Sequence, residues 1–243
     1  MRPADAPILV LDTASPTVSV AVAAAGRLLA ERREPIARSS VRLLPMIDEV
    51  LAEADVALGD LAGLVVLAGP GSFTGLRVGM ATALGLHQAA GVPATALPTF
   101  SALAAWAHHE GLADRPLFAA VDVLRGEWAV QEFPLAAEGR PLSPNGEPER
   151  IATAELLRRV AAAGGRICGF GLTALTAAGD AGAPQQPRGG ERAASTRPAP
   201  DSREPEALAA AAARELSLRQ PDWDPKRLTE PLYFRPPAVT LPL

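Results

Sequence analysis

The chain has 243 residues, 48% of them apolar and 21% charged, which is enough to bury one large core or two small ones. A formal charge of −4 with 23 scattered basic residues excludes an autonomous electrostatic footprint for nucleic acid, so any RNA contact is expected to come through a partner. One cysteine, Cys168, excludes an internal disulfide and suits a reducing compartment; with no leader-like opening and no apolar run of about 18 residues, the expectation is a cytoplasmic protein with no membrane association.

The opening predicts three strands: Ile8 to Leu11, Thr17 to Ala23 with alternating valines, and Arg27 to Arg33 after Gly26. From Arg42 to Ala54, Leu43, Ile47, Val50 and Leu51 recur at helical spacing, with Pro45 expected in the first turn where its missing N–H costs little. Leu61 to Ala68 reads as a strand buried on both faces. The segment Gly69 to Gly75 follows, and then a helix from Leu76 to about Ala90, stopped by Gly91 and Pro93.

A second block starts near Leu97. A helix is expected over Thr99 to Glu110, strands over Leu117 to Val123 and Glu127 to Phe133, a helix over Thr153 to Ala163 and a short strand over Arg166 to Phe170. Gly179 to Pro205 is rich in Gly, Pro, Ala, Arg and Ser and reads as a linker, because little apolar burial would offset its ordering. Glu206 to Leu218 reads as a helix, and the aromatic tail from Pro221 is expected to dock. The chain is thus expected to be α/β, with one subdomain over residues 1–96 and a second over 97–243.

The sequence GPGSFTGLR, Gly69 to Arg77, lies between a buried strand and a helix, where open α/β sheets place ligand loops. Its letters exclude one enzymatic reading and make a second a poor fit. A P-loop needs Lys and then Ser or Thr after the last glycine, whereas Gly75 is followed by Leu76 and Arg77. A nucleophile elbow needs glycines two positions either side of the serine, whereas Ser72 is flanked there by Pro70 and Thr74. His87, His108 and His109 are the only histidines; the last two are adjacent, so on a helix their rings diverge and no metal site is assigned. Asp122, Arg125 and Glu127 gather at the expected hairpin turn as exposed charge or a small polar site.

Two surfaces are candidates for packing against another protein or within the chain. The helix after the loop has small residues at Gly79, Ala81, Ala83, Gly85 and Ala89, with Leu76, Met80 and Leu84 in an i, i+4, i+8 row. Leu43 and Ile47 lie on the preceding amphipathic helix.

GPGSFTGLRVGMATALGLH resembles the signature of the TsaB (YeaZ) family, and ILVLDTA, RLLPMIDEVL, VDVLRGEWAV and EPLYFR extend the likeness over most of the chain. The resemblance implies an actin-like ATPase (ASKHA) relative, with two RNase H-like subdomains of which the second is reduced. It implies a non-catalytic scaffold in the threonylcarbamoyladenosine modification of tRNA beside the anticodon. The partners implied are a TsaD-type catalytic subunit, bound as a heterodimer and activated, and a small TsaE-type ATPase, with tRNA met only through the complex. The interface would draw on Leu43, Ile47, Leu76, Met80, Ala83 and Leu84. Gly71, Ser72, Phe73, Thr74, Gly75 and Arg77 would form the loop or meet an anion or nucleotide at the junction. The chain is expected to hold no cofactor of its own; ATP or ADP at the interface stays open, as does a homodimer when alone. Histidines are missing where the catalytic relatives bind metal, which fits the implied non-catalytic role; Ser39-Ser40-Val41 replace a frequent His-Ser-Glu and Asp12-Thr13-Ala14 lacks the glycine of nucleotide-binding relatives, which argues against independent ATP binding. The competing readings are a glycoprotease-like peptidase and a free-standing ATPase or kinase of the same fold.

Overall fold

The computed structural model describes residues 5–35, 39–135, 143–175, 201–219 and 221–234. Its first sheet contains β1 (Ile8–Asp12), β2 (Thr17–Ala24), β3 (Arg27–Pro35), β4 (Gly63–Leu67) and β5 (Ala94–Leu97), in the order β3-β2-β1-β4-β5. β1 to β3 form an antiparallel meander, while β4 lies parallel to β1 and β5 parallel to β4. The crossovers that parallel pairing requires are α1 (Ser39–Glu53) and α2 (Phe73–Ala90).

The second sheet repeats this plan. β6 (Leu117–Asp122), β7 (Glu127–Phe133), β8 (Asn145–Ala152), β9 (Arg166–Phe170) and β10 (Ser202–Arg203) are ordered β10-β9-β6-β7-β8. Again the first three strands are antiparallel and the last two parallel to the first. The unit is reduced in that its fifth strand has two residues. Two sheets with one shared topology make this a mixed α/β fold of two RNase H-like units.

Strand alternation decides how the layers stack. Leu9 and Leu11 face one way with Leu64 and Val66, joining Leu43, Met46, Ile47 and Val50 of α1 and Met80 and Ala83 of α2. Ile8, Val10, Val65 and Leu67 face the other way, into a central layer shared with Leu117, Ala119 and Val121 of β6. That layer is built from α3 (Thr99–His109) and α5 (Ala209–Leu218), which contact each other. They are exchanged: α3, which follows the first sheet, packs on β6, β7 and β9, and α5, which follows the second, packs on β1, β2 and β3. The outer face of the second sheet is covered by α4 (Thr153–Ala163) through Leu156 and Val160, against Phe118, Trp128 and Ile167.

Several elements depart from expectation. α1 starts at Ser39, so Pro45 lies inside the helix and offers no N–H to the carbonyl of Val41. α2 starts at Phe73, three residues early, because Ser72 caps it. The strands β5 and β8 are additional, as is a 3-10 turn over Pro225–Thr229. The linker expected over Gly179 to Pro205 lies outside the described residues as far as residue 200; its last residues are not a linker, since Ser202–Arg203 pair with Ile167 and Cys168 of β9.

Candidate functional site

The Gly69 to Gly75 loop begins at the buried carboxyl end of β4 and rests on the turn between β1 and β2. Asp12, wholly buried, shapes that turn: its Oδ1 accepts hydrogen bonds from the backbone N–H groups of Ala14 (3.0 Å) and Ser15 (3.1 Å). Its Oδ2 is buried with no hydrogen-bond partner among the described residues. Burial pushes the Asp12 carboxyl up to about 6, against the pull of hydrogen bonds from Ser15 and Ala14.

The loop meets the turn through its own backbone. Ser72 N–H donates to the Ala14 carbonyl (2.8 Å) and the Thr13 hydroxyl to the Gly75 carbonyl (2.7 Å). A Cβ on Gly75 would stand 1.8 Å from the Thr13 carbonyl oxygen, and one on Gly71 would stand 2.3 Å from that of Ala14. On Gly79 it would meet the Thr13 hydroxyl at 2.1 Å. The glycines of the signature therefore let two chain segments touch, leaving no room between them for a phosphate.

The loop's polar groups are spent in the same way. Ser72 Oγ accepts from Gly75 N–H (3.2 Å), the N-cap arrangement, and Leu76 N–H donates to the Ser72 carbonyl (2.8 Å). Ser72 thus starts a helix, and no histidine is recorded against it. His87 Nδ1 lies 2.8 Å from the Val92 carbonyl at the end of α2. The rings of His108 and His109 are 6.0 Å apart at 65°, too divergent to share an ion, and among the described residues no three His, Cys, Asp or Glu side chains form a metal set.

Within the loop, the Phe73 ring is held on two sides. The Arg77 guanidinium lies 3.9 Å from its ring centroid, and the Tyr233 ring is 5.1 Å away at 37°. At the β6–β7 turn, Leu124 (φ 71°) and Arg125 (φ 59°) adopt left-handed conformations, with Asp122 Oδ1 accepting from Leu124 N–H (2.7 Å). Glu127 pairs with Arg150 on β8, a partner the sequence could not supply because β8 was not expected. Tyr233 and Arg150 are the site residues that sequence reasoning missed. Aromatic density in the tail was the one available signal.

The side chains expected at a partner interface need correction. Leu43, Ile47, Met80 and Ala83 belong to the core between the first sheet and its two helices, and Leu76 to the central layer; none is more than 5% exposed. Leu84 is partly buried against the first of these cores. Their helical periodicity marks the face that the helices turn towards their own sheet. The apolar surface left open on α1 is Val41 (76% exposed) and Leu44 (55%). On α2 an exposed row runs through Arg77, Ala81, Gly85 and Ala89, and a Cβ on Gly85 would meet nothing within 4 Å.

Comparison with known proteins fits this geometry. Residues 34–156, just over half of the chain, match the family model described as TsaD: tRNA N6-adenosine threonylcarbamoyltransferase. The tRNA threonylcarbamoyladenosine biosynthesis protein TsaB of Escherichia coli is 36% identical over 124 residues, covering 50% of this chain and 53% of that protein. Its Bacillus subtilis counterpart is 34% identical over 122 residues, covering 49% and 52%. The chain therefore spans about half the length of the curated relatives it matches. Among solved structures, YeaZ from Pseudomonas aeruginosa aligns at TM-score 0.63 with 27% identity, covering 87% of this chain and 90% of that one. An uncharacterized protein with similarity to peptidase YEAZ from the same organism aligns at TM-score 0.68 with 25% identity, covering 95% and 100%. No described helix is long and apolar enough to cross a membrane. With the signature loop, the doubled sheet topology and the family match in agreement, the chain belongs to the TsaB (YeaZ) family, within the wider group that the threonylcarbamoyltransferase model describes.

Proposed function

We propose that the chain is a non-catalytic, cytoplasmic subunit in the threonylcarbamoyladenosine modification of tRNA, which binds and activates a TsaD-type transferase and works with a TsaE-type ATPase. The names of its relatives supply the pathway. The observation that supports the subunit role is the fate of the signature loop: its glycines are used in backbone packing and its serine in capping a helix. The partner would meet the exposed row Arg77, Ala81, Gly85 and Ala89 of α2 with Val41 and Leu44 of α1, since small residues permit close helix approach. Arg77 suits an anion or a nucleotide phosphate at that junction, because a guanidinium makes strong charge-assisted hydrogen bonds. tRNA would be reached through the complex.

Reconstitution tests the reading. Cognate TsaD-type and TsaE-type subunits with tRNA and substrates are expected to modify adenosine only when this chain is added. Full modification without it would refute the proposal. A peptidase reading predicts that Ser72→Ala abolishes cleavage of a model substrate by the purified chain, and a free-standing kinase reading predicts ATP binding by calorimetry with no partner present.

A further inference from the structure

The tail from Pro221 is built against the signature loop. It is anchored first by Trp223, whose ring fills the space a Cβ on Gly63 would take (2.3 Å), and then by buried Leu228 in the 3-10 turn that contacts α2 and β5. It then lies on the corner where β4 enters the loop. Leu232 N–H donates to the Ala68 carbonyl at 2.7 Å, and the Leu232 carbonyl oxygen stands 2.8 Å from where a Cβ on Gly69 would be. The corner is fixed from the other side by Thr99 N–H, which donates to the Gly69 carbonyl (2.7 Å). Gly69 has φ 102°, a conformation open to glycine, so the first glycine of the signature is demanded both by its backbone and by the tail that crosses it. One residue on, the Tyr233 ring covers Phe73, the first residue of α2, which in turn carries the Arg77 guanidinium.

We infer that residues 228–234 are a clamp on the Gly69 to Gly75 loop: the tail sets the position of Phe73, hence of Arg77, and the part of the clamp at Tyr233 opens together with the loop. Tyr233 is the release point. It is 40% exposed, between Leu228 at 3% exposed and Phe234, whose ring meets Phe100 edge-on at 5.9 Å, so the stretch over Phe73 can lift while the residues on either side stay seated. Whatever meets Arg77 at the end of α2 is thereby coupled to the tail. The inference stands whether or not the proposed function holds.

Hydrogen-exchange mass spectrometry on the full chain tests it, because the amides of Ser72, Gly75 and Leu76 are all hydrogen-bonded and report loop opening. Tyr233→Ala removes an aromatic pair and is expected to speed exchange about three- to tenfold in peptides spanning residues 71–77, with β6 unchanged. Tyr233→Phe, which keeps the ring, is expected to match the wild type. From the loop side, Phe73→Leu is expected to speed exchange of the Leu232 amide. If Tyr233→Ala leaves residues 71–77 at the wild-type rate, the clamp does not exist. A uniform rise that includes β6 would equally overturn it, by assigning the tail to global stability.

Discussion

Replacing Asp12 by asparagine should stabilise the protein at neutral and alkaline pH and do almost nothing in acid. The carboxyl is raised from 3.8 to about 6 by burial, so across that interval the folded state holds a proton that the unfolded state has released. Stability from this group is therefore fully present below the unfolded value and is lost as pH rises through the folded one. A gap of about two pK units corresponds to ~3 kcal/mol. Asparagine keeps an oxygen for the Ala14 and Ser15 N–H groups and never ionises, so the difference between variant and wild type isolates the titration of one side chain. Urea unfolding of both proteins should show stabilities within ~1 kcal/mol of each other at pH 4, with the variant ahead by ~3 kcal/mol at pH 8. A difference that stays flat between pH 4 and pH 8 would refute the claim that burial of this carboxylate outweighs the hydrogen bonds it accepts.

Three glycines give predictions of different sign. Gly75→Ala forces a Cβ to within 1.8 Å of a backbone oxygen that cannot swing aside, and thermal unfolding should show a loss above ~3 kcal/mol or no folded protein. Gly85→Ala adds a methyl group in open space on a helix and should raise stability by ~1 kcal/mol in the same assay. Gly63→Ala should unseat the Trp223 ring, seen as red-shifted tryptophan emission and faster proteolysis after residue 220, with near-native far-ultraviolet circular dichroism.

Where local physics decided the outcome, the sequence was informative. The valine alternation of β2, the continuous apolar run of β4 and the stop at Gly91 each appear where expected, because burial on known faces and a left-handed cap (Gly91 φ 64°) are written in single residues. β5 escaped notice because four residues between two prolines carry little pattern, and its burial comes from a tail more than 120 residues away. β8 escaped because it is an edge strand whose charged residues face water, the usual means of blunting an edge. The candidate interface was misread for a related reason: Leu43, Ile47, Met80 and Ala83 have the periodicity of a contact face, but periodicity cannot say whether the contact is with the chain's own sheet or with another protein. The exposed row one face over, Ala81, Gly85 and Ala89, carries no apolar bulk to advertise it. The signature segment was legible as a loop between a buried strand and a helix, yet that Thr13 and Ala14 press against its glycines depended on a turn about 60 residues upstream.

The most direct test of the account is affinity for a cognate TsaD-type subunit measured by calorimetry with Gly85→Arg and Ala81→Arg, two changes on the open face of α2 that leave the chain's own core untouched. Ala81→Arg should keep wild-type thermal stability within ~0.5 kcal/mol and Gly85→Arg should gain up to ~1 kcal/mol, as Gly85→Ala does, while both lose at least about a hundredfold in affinity, the effect of burying an unpaired charge at a close helix contact. Wild-type affinity in both variants would contradict the assignment of this face to a partner, and with it the scaffold role.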